Sequence, residues 1–391
     1  MKNLSKGSFV IFLFLLTTIS VYSQWQQTAL NSGSIRALAG DEENIFAARS
    51  TLYRSTDGGI SWFPAGLSST IQDIYIEGQL IFAATQNAGL YRSSNLGVNW
   101  VQYNMGADGV RSVTSTGNFV FAGQQNYGMM KSENAGENWM FVPGFQGSFP
   151  ALASIGSTVY AGSYGIYRST NFGINWQQTL TRANLVYAIA INNNMVYAGF
   201  NNEGVHISSD NGLTWVQSSL NSAEVISLAV SGNNVFAGTI DDGIYYSGNS
   251  GLSWVQINEG LTGLDVESLL INGNYIFAGT YDHGLFKRSL SEILKINNLS
   301  SKIPESYTLQ QNYPNPFNPV TNINFSIPKT GLVKLTVFDA AGREAAMLFN
   351  GELSAGTYNY DFDASQLASG IYFYKLEAND FSQTKKMVLI K

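Results

Sequence analysis

Carboxylates in three neighbouring loops of this chain could carry out acid–base chemistry. Glu203, Asp241, Asp242 and Asp282 lie at corresponding points of a pattern that recurs about every 40 residues. Hydrolysis of a glycosidic bond needs two carboxyl groups, one on each side of that bond. Any two of these four residues could therefore form the catalytic pair of a glycoside hydrolase. Their spacing in the sequence does not give the distance between the carboxyl groups, so it does not select one pair.

Other side chains near these carboxylates suit binding. The loops are rich in amides and aromatics, which hydrogen bond to and stack on hydroxyl-rich or peptide ligands. Arg36, Gln72, Arg111, Tyr187 and Glu267 also occupy matching repeat positions at the start of a predicted strand. The competing interpretation is that such residues are simply common in loops. The residues expected to contact a ligand are Arg36, Arg111, Tyr127, Tyr164, Tyr187, Asn201, Glu267, Tyr281 and His283.

The two histidines give no metal site. His206 occupies a repeat position that is tyrosine in four other copies, so we expect it to pack within a strand. His283 lies in a loop beside Asp282, and the chain has no cysteine. Because a metal site needs several such ligands together, we predict neither a metal nor a cofactor.

The elements that hold these loops repeat seven times. The seven tryptophans, Trp25 to Trp254, follow one another at intervals of 37, 38, 39, 37, 39 and 39 residues. Each copy has a polar strand at the tryptophan and then three further strands, the second of them written Ile/Val-Phe/Tyr-Ala-Ala/Gly. Four strands per copy are typical of a β-propeller blade, so the chain is predicted to be an all-β protein with a seven-bladed propeller.

The two ends of the repeat array are complementary. The last copy lacks a tryptophan strand, and the first begins with one. A solenoid, the competing repeat fold, needs atypical capping units instead. We therefore expect the strand Trp25–Thr28 to pair beside Leu285–Lys287, which closes the ring and removes exposed sheet edges.

Six tryptophans end a shared motif, Ser-x-Asx-x-Gly-x-x-Trp. Its third position is Asn in four of the six copies, and an amide can neither act as a general base nor supply a ligand charge. Asp and Asn share an oxygen that accepts backbone N–H groups in a turn, and glycine allows a positive φ. The motif is therefore predicted to be structural, with the residues Ser55, Asp57, Gly59, Trp62, Asn95, Trp100, Asn134, Trp139, Asn171, Trp176, Asp210, Trp215, Asn249 and Trp254.

This motif resembles the Asp-box, or BNR repeat, of the sialidase-like propellers. The resemblance implies that ligands bind on the face opposite the Asp-box turns. Sialidases hold their substrate with an arginine cluster and use a tyrosine activated by a glutamate. Here only two arginines align and no Arg-Ile-Pro segment is present, so the resemblance does not extend to that activity.

Residues 1–23 have the pattern of a secretory signal peptide. Lys2 and Lys6 precede the apolar run Phe9–Leu16, and Val21 and Ser23 fit cleavage before Gln24. This run is shorter than the roughly 20 residues of a membrane-spanning helix, and no comparable run follows, so no transmembrane segment is expected after cleavage. Residues 24–290 carry ten Lys and Arg against eighteen Asp and Glu, a net charge of −8 that argues against a nucleic-acid partner.

The repeat ends near Ser291, and residues 291–306 are predicted to be a polar linker. Residues 307–391 alternate apolar and polar residues in six segments, which predicts a small β-sandwich. They contain a proline-rich stretch, 313–319, and end in Lys-Lys-Met-Val-Leu-Ile-Lys. This segment resembles the type A C-terminal sorting domain of the type 9 secretion system. Sorting is then expected to depend on Lys386, Met387, Val388, Leu389 and Lys391.

The second resemblance implies the partners and the destination. The partners are the type 9 secretion machinery and its surface peptidase, and the protein is secreted or attached to the outer-membrane surface. The predicted domains are a signal peptide (1–23), a propeller (24–290), a linker (291–306) and a sorting domain (307–391). Two functions stay open: a module that binds an extracellular glycan or protein, and a glycoside hydrolase of the sialidase-like or xyloglucanase-like propeller type.

Overall fold

The computed structural model describes residues 24–41, 43–105, 109–273, 275–293, 296–300, 303–353 and 355–391. The predicted signal peptide, residues 1–23, lies outside these ranges. The described residues form strands and turns and one short helix, so the all-β prediction is confirmed. None of the described residues forms a helix long and apolar enough to span a membrane.

Residues 26–289 form seven antiparallel sheets of four strands, which are the seven predicted blades. Blades 1 to 6 each use four consecutive strands, starting with β2, and blade 7 uses β26, β27, β28 and β1. The strands are β1 (Gln26–Gln27), β2 (Ala37–Gly40), β3 (Ile45–Ala48), β4 (Leu52–Ser55), β5 (Phe63–Pro64), β6 (Ile71–Glu77), β7 (Leu80–Thr85), β8 (Leu90–Ser93), β9 (Val101–Tyr103), β10 (Val110–Thr116), β11 (Phe119–Gln124), β12 (Met129–Ser132), β13 (Met140–Phe141), β14 (Ala151–Ile155), β15 (Thr158–Ser163), β16 (Gly165–Ser169), β17 (Gln177–Thr181), β18 (Val186–Asn192), β19 (Met195–Phe200), β20 (Gly204–Ser208), β21 (Val216–Gln217), β22 (Val225–Ser231), β23 (Asn234–Thr239), β24 (Ile244–Ser247), β25 (Val255–Gln256), β26 (Val266–Asn272), β27 (Tyr275–Thr280) and β28 (Leu285–Ser289).

The predicted ring closure is confirmed. Strand β1 pairs antiparallel with β28, with Gln26 opposite Lys287, and the Thr28 N–H donates to the Leu285 carbonyl at 2.9 Å. The first strands of neighbouring blades contact one another around the ring, and β26 of blade 7 contacts β2 of blade 1. The first strand of each blade therefore lines a central channel, and β1 completes blade 7 by pairing with the outer side of β28.

Neighbouring blades are joined where an aromatic ring meets a glycine. The aromatic residue of the second strand is buried in every blade, and in five of the seven blades the Asp-box glycine of the next blade lies on its ring. In blade 3, a Cβ on Gly136 would lie 2.6 Å from the Cε1 atom of Phe82 in blade 2. Equivalent pairs are Gly97 with Phe46, Gly173 with Phe121, Gly212 with Tyr160 and Gly59 with Phe277.

Replacing Gly136 with alanine tests this packing. Gly136 has a φ of +83°, and Gly144 in a nearby loop has a φ of +85° with no atom near its Cβ position. Both alanine variants incur the strain of a positive φ, about 1–2 kcal/mol. Only Gly136→Ala also overpacks Phe82, so we expect it to lower the free energy of unfolding by about 1–3 kcal/mol more than Gly144→Ala in urea titrations. Equal losses would show that the contact between blades is not tight.

After blade 7 the chain forms a one-turn helix and then a two-sheet domain. One sheet has the order β29-β34-β31-β30 and the other β33-β32-β35-β36, so the predicted sandwich is confirmed. The elements are α1 (Leu290–Ile293), β29 (Ile296–Ser300), β30 (Thr308–Leu309), β31 (Val320–Ile327), β32 (Gly331–Asp339), β33 (Glu344–Leu353), β34 (Gly356–Asp363), β35 (Gly370–Ala378) and β36 (Phe381–Leu389).

The predicted linker, 291–306, needs correction. Residues Ile296–Ser300 form the edge strand β29, which pairs antiparallel with β34 of the C-terminal sheet. The polar composition of this segment hid the strand, because an edge strand can pair through its backbone whatever its side chains. The chain between the two domains is therefore shorter than predicted.

Candidate ligand-binding face

The first strands of five blades begin with the same irregularity. Their ladders shift register at the second residue, so that one residue is left without a partner. Such bulges aim a side chain away from the regular alternation of the strand. The bulged residues are Gln72, Arg111, Tyr187, Ile226 and Glu267, and Arg36 occupies the matching place just before β2.

These positions lie at the end of the channel opposite the Asp-box turns. Strands of a blade alternate in direction, so the start of the first strand and the loop between the second and third strands share one face, while the Asp-box turns share the other. The structure therefore brings the bulged residues and the loop residues to a single surface, which we name the ligand face after the ligand contacts predicted for these residues. The side chains of Arg36, Arg111, Tyr187 and Glu267 are all partly exposed there.

Blades 6 and 7 place several carboxylates together on this face. Burial raises the pKa of Asp265, and the charges of Asp241, Asp282 and Glu224 raise it further. The pKa of Glu267 is also raised by burial, against the effects of a hydrogen bond from Ser34 and of the Arg36 guanidinium 3.5 Å away. We call Glu224, Asp241, Asp265, Glu267 and Asp282 the acidic quadrant.

Glu203 lies outside the acidic quadrant and is paired with a positively charged side chain. Its carboxylate lies 3.2 Å from the Arg182 Nε and accepts a hydrogen bond of 2.9 Å from Asn184. It also lies 3.9 Å from His206, which is buried as predicted and whose pKa is lowered to about 4 by burial. A carboxylate held in this way orders the loop of blade 5.

The remaining predicted ligand residues are spread around the ligand face. Tyr127 in blade 3 is 63% exposed and Tyr164 in blade 4 is 58% exposed, so both rings are available for stacking. Tyr281 and His283 are exposed in the blade 7 loop with Asp282, and Asp242 is exposed beside Asp241. Asn201 is partly exposed, and its N–H donates to the Leu185 carbonyl at 3.0 Å. The candidates thus form an aromatic side in blades 3 and 4 and an acidic side in blades 6 and 7.

The Asp-box residues lie on the opposite face and bond within their own turns. The Gly59 N–H donates to the Ser55 hydroxyl at 2.9 Å, and Asp57 accepts the N–H groups of Ile60 and Ser61. The bond from the N–H two residues after the glycine recurs in every other copy, and its side-chain acceptors are Asn95, Asn134, Asn171, Asp210 and Asn249. Hydrogen bonds from Ser61 and Ser55 lower the pKa of Asp57 to about 2. A carboxylate kept ionised inside a turn is suited to capping it, not to acid catalysis.

Sequence reasoning missed Glu224 and Asp265 in the acidic quadrant. Both occupy one repeat position, directly before the first strand, where the backbone carbonyl accepts an N–H from the neighbouring loop. The repeat position of Glu267 lies two residues later, so the pattern of side chains there does not reveal this acidic pair. Across the described ranges, no three His, Cys, Asp or Glu side chains are grouped to hold a metal ion.

Asp73, in the channel wall, was also missed. The matching residue is serine in three blades, and Ser112, Ser227 and Ser268 each donate to a carbonyl of the next blade. Asp73 instead accepts the Val113 N–H of blade 3 at 2.8 Å. Burial raises the pKa of Asp73 to about 7, although this hydrogen bond and one from the Ile74 N–H favour the charged form.

Replacing Asp73 with serine is expected to stabilise the protein in a pH-dependent way. The folded-state pKa of about 7 exceeds the usual 3.8, so the native protein loses stability as the pH rises through that range. Asp73→Ser removes this loss, and we expect it to raise the free energy of unfolding by about 1–2 kcal/mol more at pH 8 than at pH 4. Because Asp73 is partly exposed, solvent screening keeps the effect below the free energy that the full pKa shift would give. Urea titrations of both proteins at the two pH values measure it, and a gain independent of pH would contradict the assignment.

In the C-terminal domain, the predicted sorting residues belong to the last strand and its end. Met387 and Leu389 are fully buried in the sandwich, while Lys386 and Lys391 are exposed. The proline-rich segment covers the outer edge of this strand. The Val388 N–H donates to the Asn315 side chain at 2.9 Å, and the Phe317 N–H donates to the Val388 carbonyl at 3.0 Å. The two sequence landmarks of the domain are thus in direct contact.

Two family models match the chain. Residues 311–391 match the secretion system C-terminal sorting domain, and residues 166–179, around the Asp-box of blade 4, match the BNR-Asp box repeat. A comparison with curated proteins gave no match.

Several solved structures share the fold. YCF48 from Cyanidioschyzon merolae is 14% identical with a TM-score of 0.55, and the match covers 68% of this chain and 99% of that one. YCF48 bound to D1 peptide is 15% identical with a TM-score of 0.55, over 68% of this chain and 94% of that one. The Niastella koreensis GH74 enzyme is 12% identical with a TM-score of 0.55, over 94% of this chain and 75% of that one. At such identities the likeness shows the fold alone.

The family matches and the blades agree on the nature of both parts. The sorting domain directs export, so the protein is secreted or attached to the outer-membrane surface. The chain is an Asp-box β-propeller that carries a C-terminal sorting domain of the type 9 secretion system.

Proposed function

We propose that the propeller is an extracellular binding module that takes a glycan or a protein on its ligand face. The observation that carries the proposal is the bulge at the start of five first strands, because it presents side chains of different chemistry on one rigid rim. Polar and aromatic groups held on rigid strands bind ligands with little loss of conformational entropy. On the other face, the polar groups of the Asp-box turns form hydrogen bonds within their own turns.

The ligand face offers two kinds of contact. The exposed rings of Tyr127 and Tyr164 can stack on sugar rings or apolar side chains, and the acidic quadrant can accept hydrogen bonds from hydroxyl or cationic groups. A structure of similar fold, YCF48, is bound to the D1 peptide, which supports a peptide ligand. A ligand that spans both sides of the rim would use both kinds of contact.

Binding to glycan and surface-protein arrays tests the proposal with the chain that begins at Gln24. Tyr127→Ala and Tyr164→Ala are each expected to weaken the binding of a captured ligand by about fivefold to tenfold. Phe63→Ala is the control, since Phe63 is equally exposed but lies on the outer strand of blade 1. Equal losses in all three variants would place the ligand elsewhere.

Salt dependence separates the two ligand classes. A basic protein bound to the acidic quadrant should lose affinity as ionic strength rises, because the charges are partly exposed and become screened. A neutral glycan should bind almost equally at low and high salt. Asp282→Asn should reduce the salt dependence in the first case, since Asp282 is exposed within the acidic quadrant.

A glycoside hydrolase is the second candidate function, and Asp265 supports it. An acid with a raised pKa beside an ionised carboxylate can donate a proton to a leaving group, and Asp265 lies near Asp241 and Asp282. The shared fold of the Niastella koreensis GH74 enzyme is compatible with this function. Release of reducing sugar from polysaccharides, abolished by Asp265→Asn, would establish it. Binding of a polysaccharide without release of reducing sugar would favour the binding module over the hydrolase.

A further inference from the structure

Blade 6 departs from the pattern of the other blades on its outer wall. Its third strand carries Tyr246 where blades 1, 2 and 4 have arginine. The second residue of its Asp-box is Gly248, where the other five copies have a larger polar residue. A Cβ at Gly248 would lie 2.8 Å from the Tyr246 hydroxyl oxygen, so the glycine leaves room for the tyrosine.

The outer wall of blade 6 is shielded from solvent, whereas the outer walls of the other blades are exposed. The residue after the Asp-box tryptophan is 54 to 71% exposed in Phe63, Val101, Met140 and Val216, but Val255 of blade 6 is only 5% exposed. Trp254 itself is buried, while the other five Asp-box tryptophans are partly exposed.

The C-terminal domain provides the cover. Its residues Leu353 and Tyr358 line a void of about 20 Å³ together with Tyr246, Trp254 and Val255. Leu353 and Tyr358 are buried, and one continuous apolar cluster runs from blades 6 and 7 into the sandwich. Strand β33, at one edge of its sheet, contacts β25 of blade 6.

The position of this contact follows from the way the ring closes. In blades 1 to 6 the third strand leads into an Asp-box turn, whereas β28 of blade 7 leads into helix α1. Phe236 of blade 6 therefore has no Asp-box glycine of a following blade on its ring, and Tyr246 packs there with ring centroids 5.0 Å apart. The gap left by the absent seventh Asp-box is the place where the C-terminal domain packs.

We propose that the outer wall of blade 6, formed by Tyr246, Gly248, Trp254 and Val255, is a dedicated docking site for the C-terminal domain. The domain replaces the absent seventh Asp-box and is held there without help from its covalent connection. Docking through β33 leaves β36, with the sorting residues, at the opposite edge of the sheet. Removal of the domain uncovers an apolar patch on the propeller.

Cutting the connection in the full chain tests the proposal. A site for a sequence-specific protease is inserted between α1 and β29, and the cut protein is passed over a size-exclusion column at micromolar concentration. The two fragments are expected to elute together. The double variant Tyr246→Arg and Val255→Gln should weaken their association by about 100-fold, so that they separate. Arginine occupies this strand position in three other blades, so the change is compatible with the blade.

A matched variant in blade 2 provides the control. Val101→Gln changes the residue equivalent to Val255, on a wall that is open, and should leave the cut fragments together. Thermal unfolding of each uncut variant checks that the propeller folds. The proposal is overturned if the fragments of the unsubstituted protein separate, or if the blade 6 variant elutes with its fragments together. It is equally overturned if Val101→Gln separates them.

Discussion

Replacing Trp25 with alanine is expected to lower the free energy of unfolding by about 3–5 kcal/mol, the usual cost of removing a buried tryptophan. Trp25 is only 2% exposed, and its indole N–H donates to the Ile257 carbonyl at 2.6 Å. Its backbone N–H donates to the Glu259 carbonyl, and the next two residues form β1. The variant therefore leaves a cavity and weakens the strand that closes the ring. Chemical denaturation followed by circular dichroism measures the loss.

Trp139→Ala serves as the control for ring closure. Trp139 is partly exposed and lies in blade 3, where all four strands are consecutive in the chain. We expect a smaller loss of stability there and no effect on blade 7. Hydrogen exchange should show faster exchange in β26, β27 and β28 of the Trp25 variant only. If both variants lose the same stability, and blade 7 keeps its protection, the closing strand is not what holds the ring.

Much of the fold could be predicted from the sequence because the repeat carries its own alignment. The repeat pattern starts with the tryptophan strand at Trp25, and no tryptophan follows Lys287, so closure could be predicted by counting the copies. Asn95 and Asn134 occupy the Asp position of the Asp-box, and an amide cannot act as a general base. The sequence alone therefore indicated a structural role for this position.

The parts that escaped prediction depend on contacts between copies. A bulge changes the register of a strand without changing its composition. The sequence therefore showed that Gln72 and Tyr187 occupy the same repeat position, but it did not show that each residue forms a bulge. Asp265 owes its raised pKa to burial and to charges from other loops, which no spacing within one copy reveals. Tyr246 lines a void together with residues that lie more than 100 positions later, Leu353 and Tyr358 of the sandwich, so comparison of the repeat copies could not reveal its role.

Deleting Met387–Lys391 is expected to abolish export, with the protein retained in the cell. Met387 and Leu389 are buried in the sandwich, and the deleted backbone bonds to Asn315 and Phe317. The deletion thus removes the end of the terminal strand and releases the proline-rich segment that covers its edge. Immunodetection in the medium, on the cell surface and inside the cell measures the distribution. We expect at least a tenfold shift toward the cell, since both landmarks of the sorting domain are lost together.

Ile390→Ala distinguishes loss of the sorting surface from a general sensitivity of the C-terminus. Ile390 is 51% exposed and follows the last strand residue, so its truncation leaves the buried side chains and the Asn315 contact in place. Export of this variant should match that of the unsubstituted protein. Lys386→Ala, which removes an exposed charge from a strand that stays folded, should reduce export if the machinery reads the surface of β36. Undiminished export of the deletion variant would show that the terminal strand is not part of the signal.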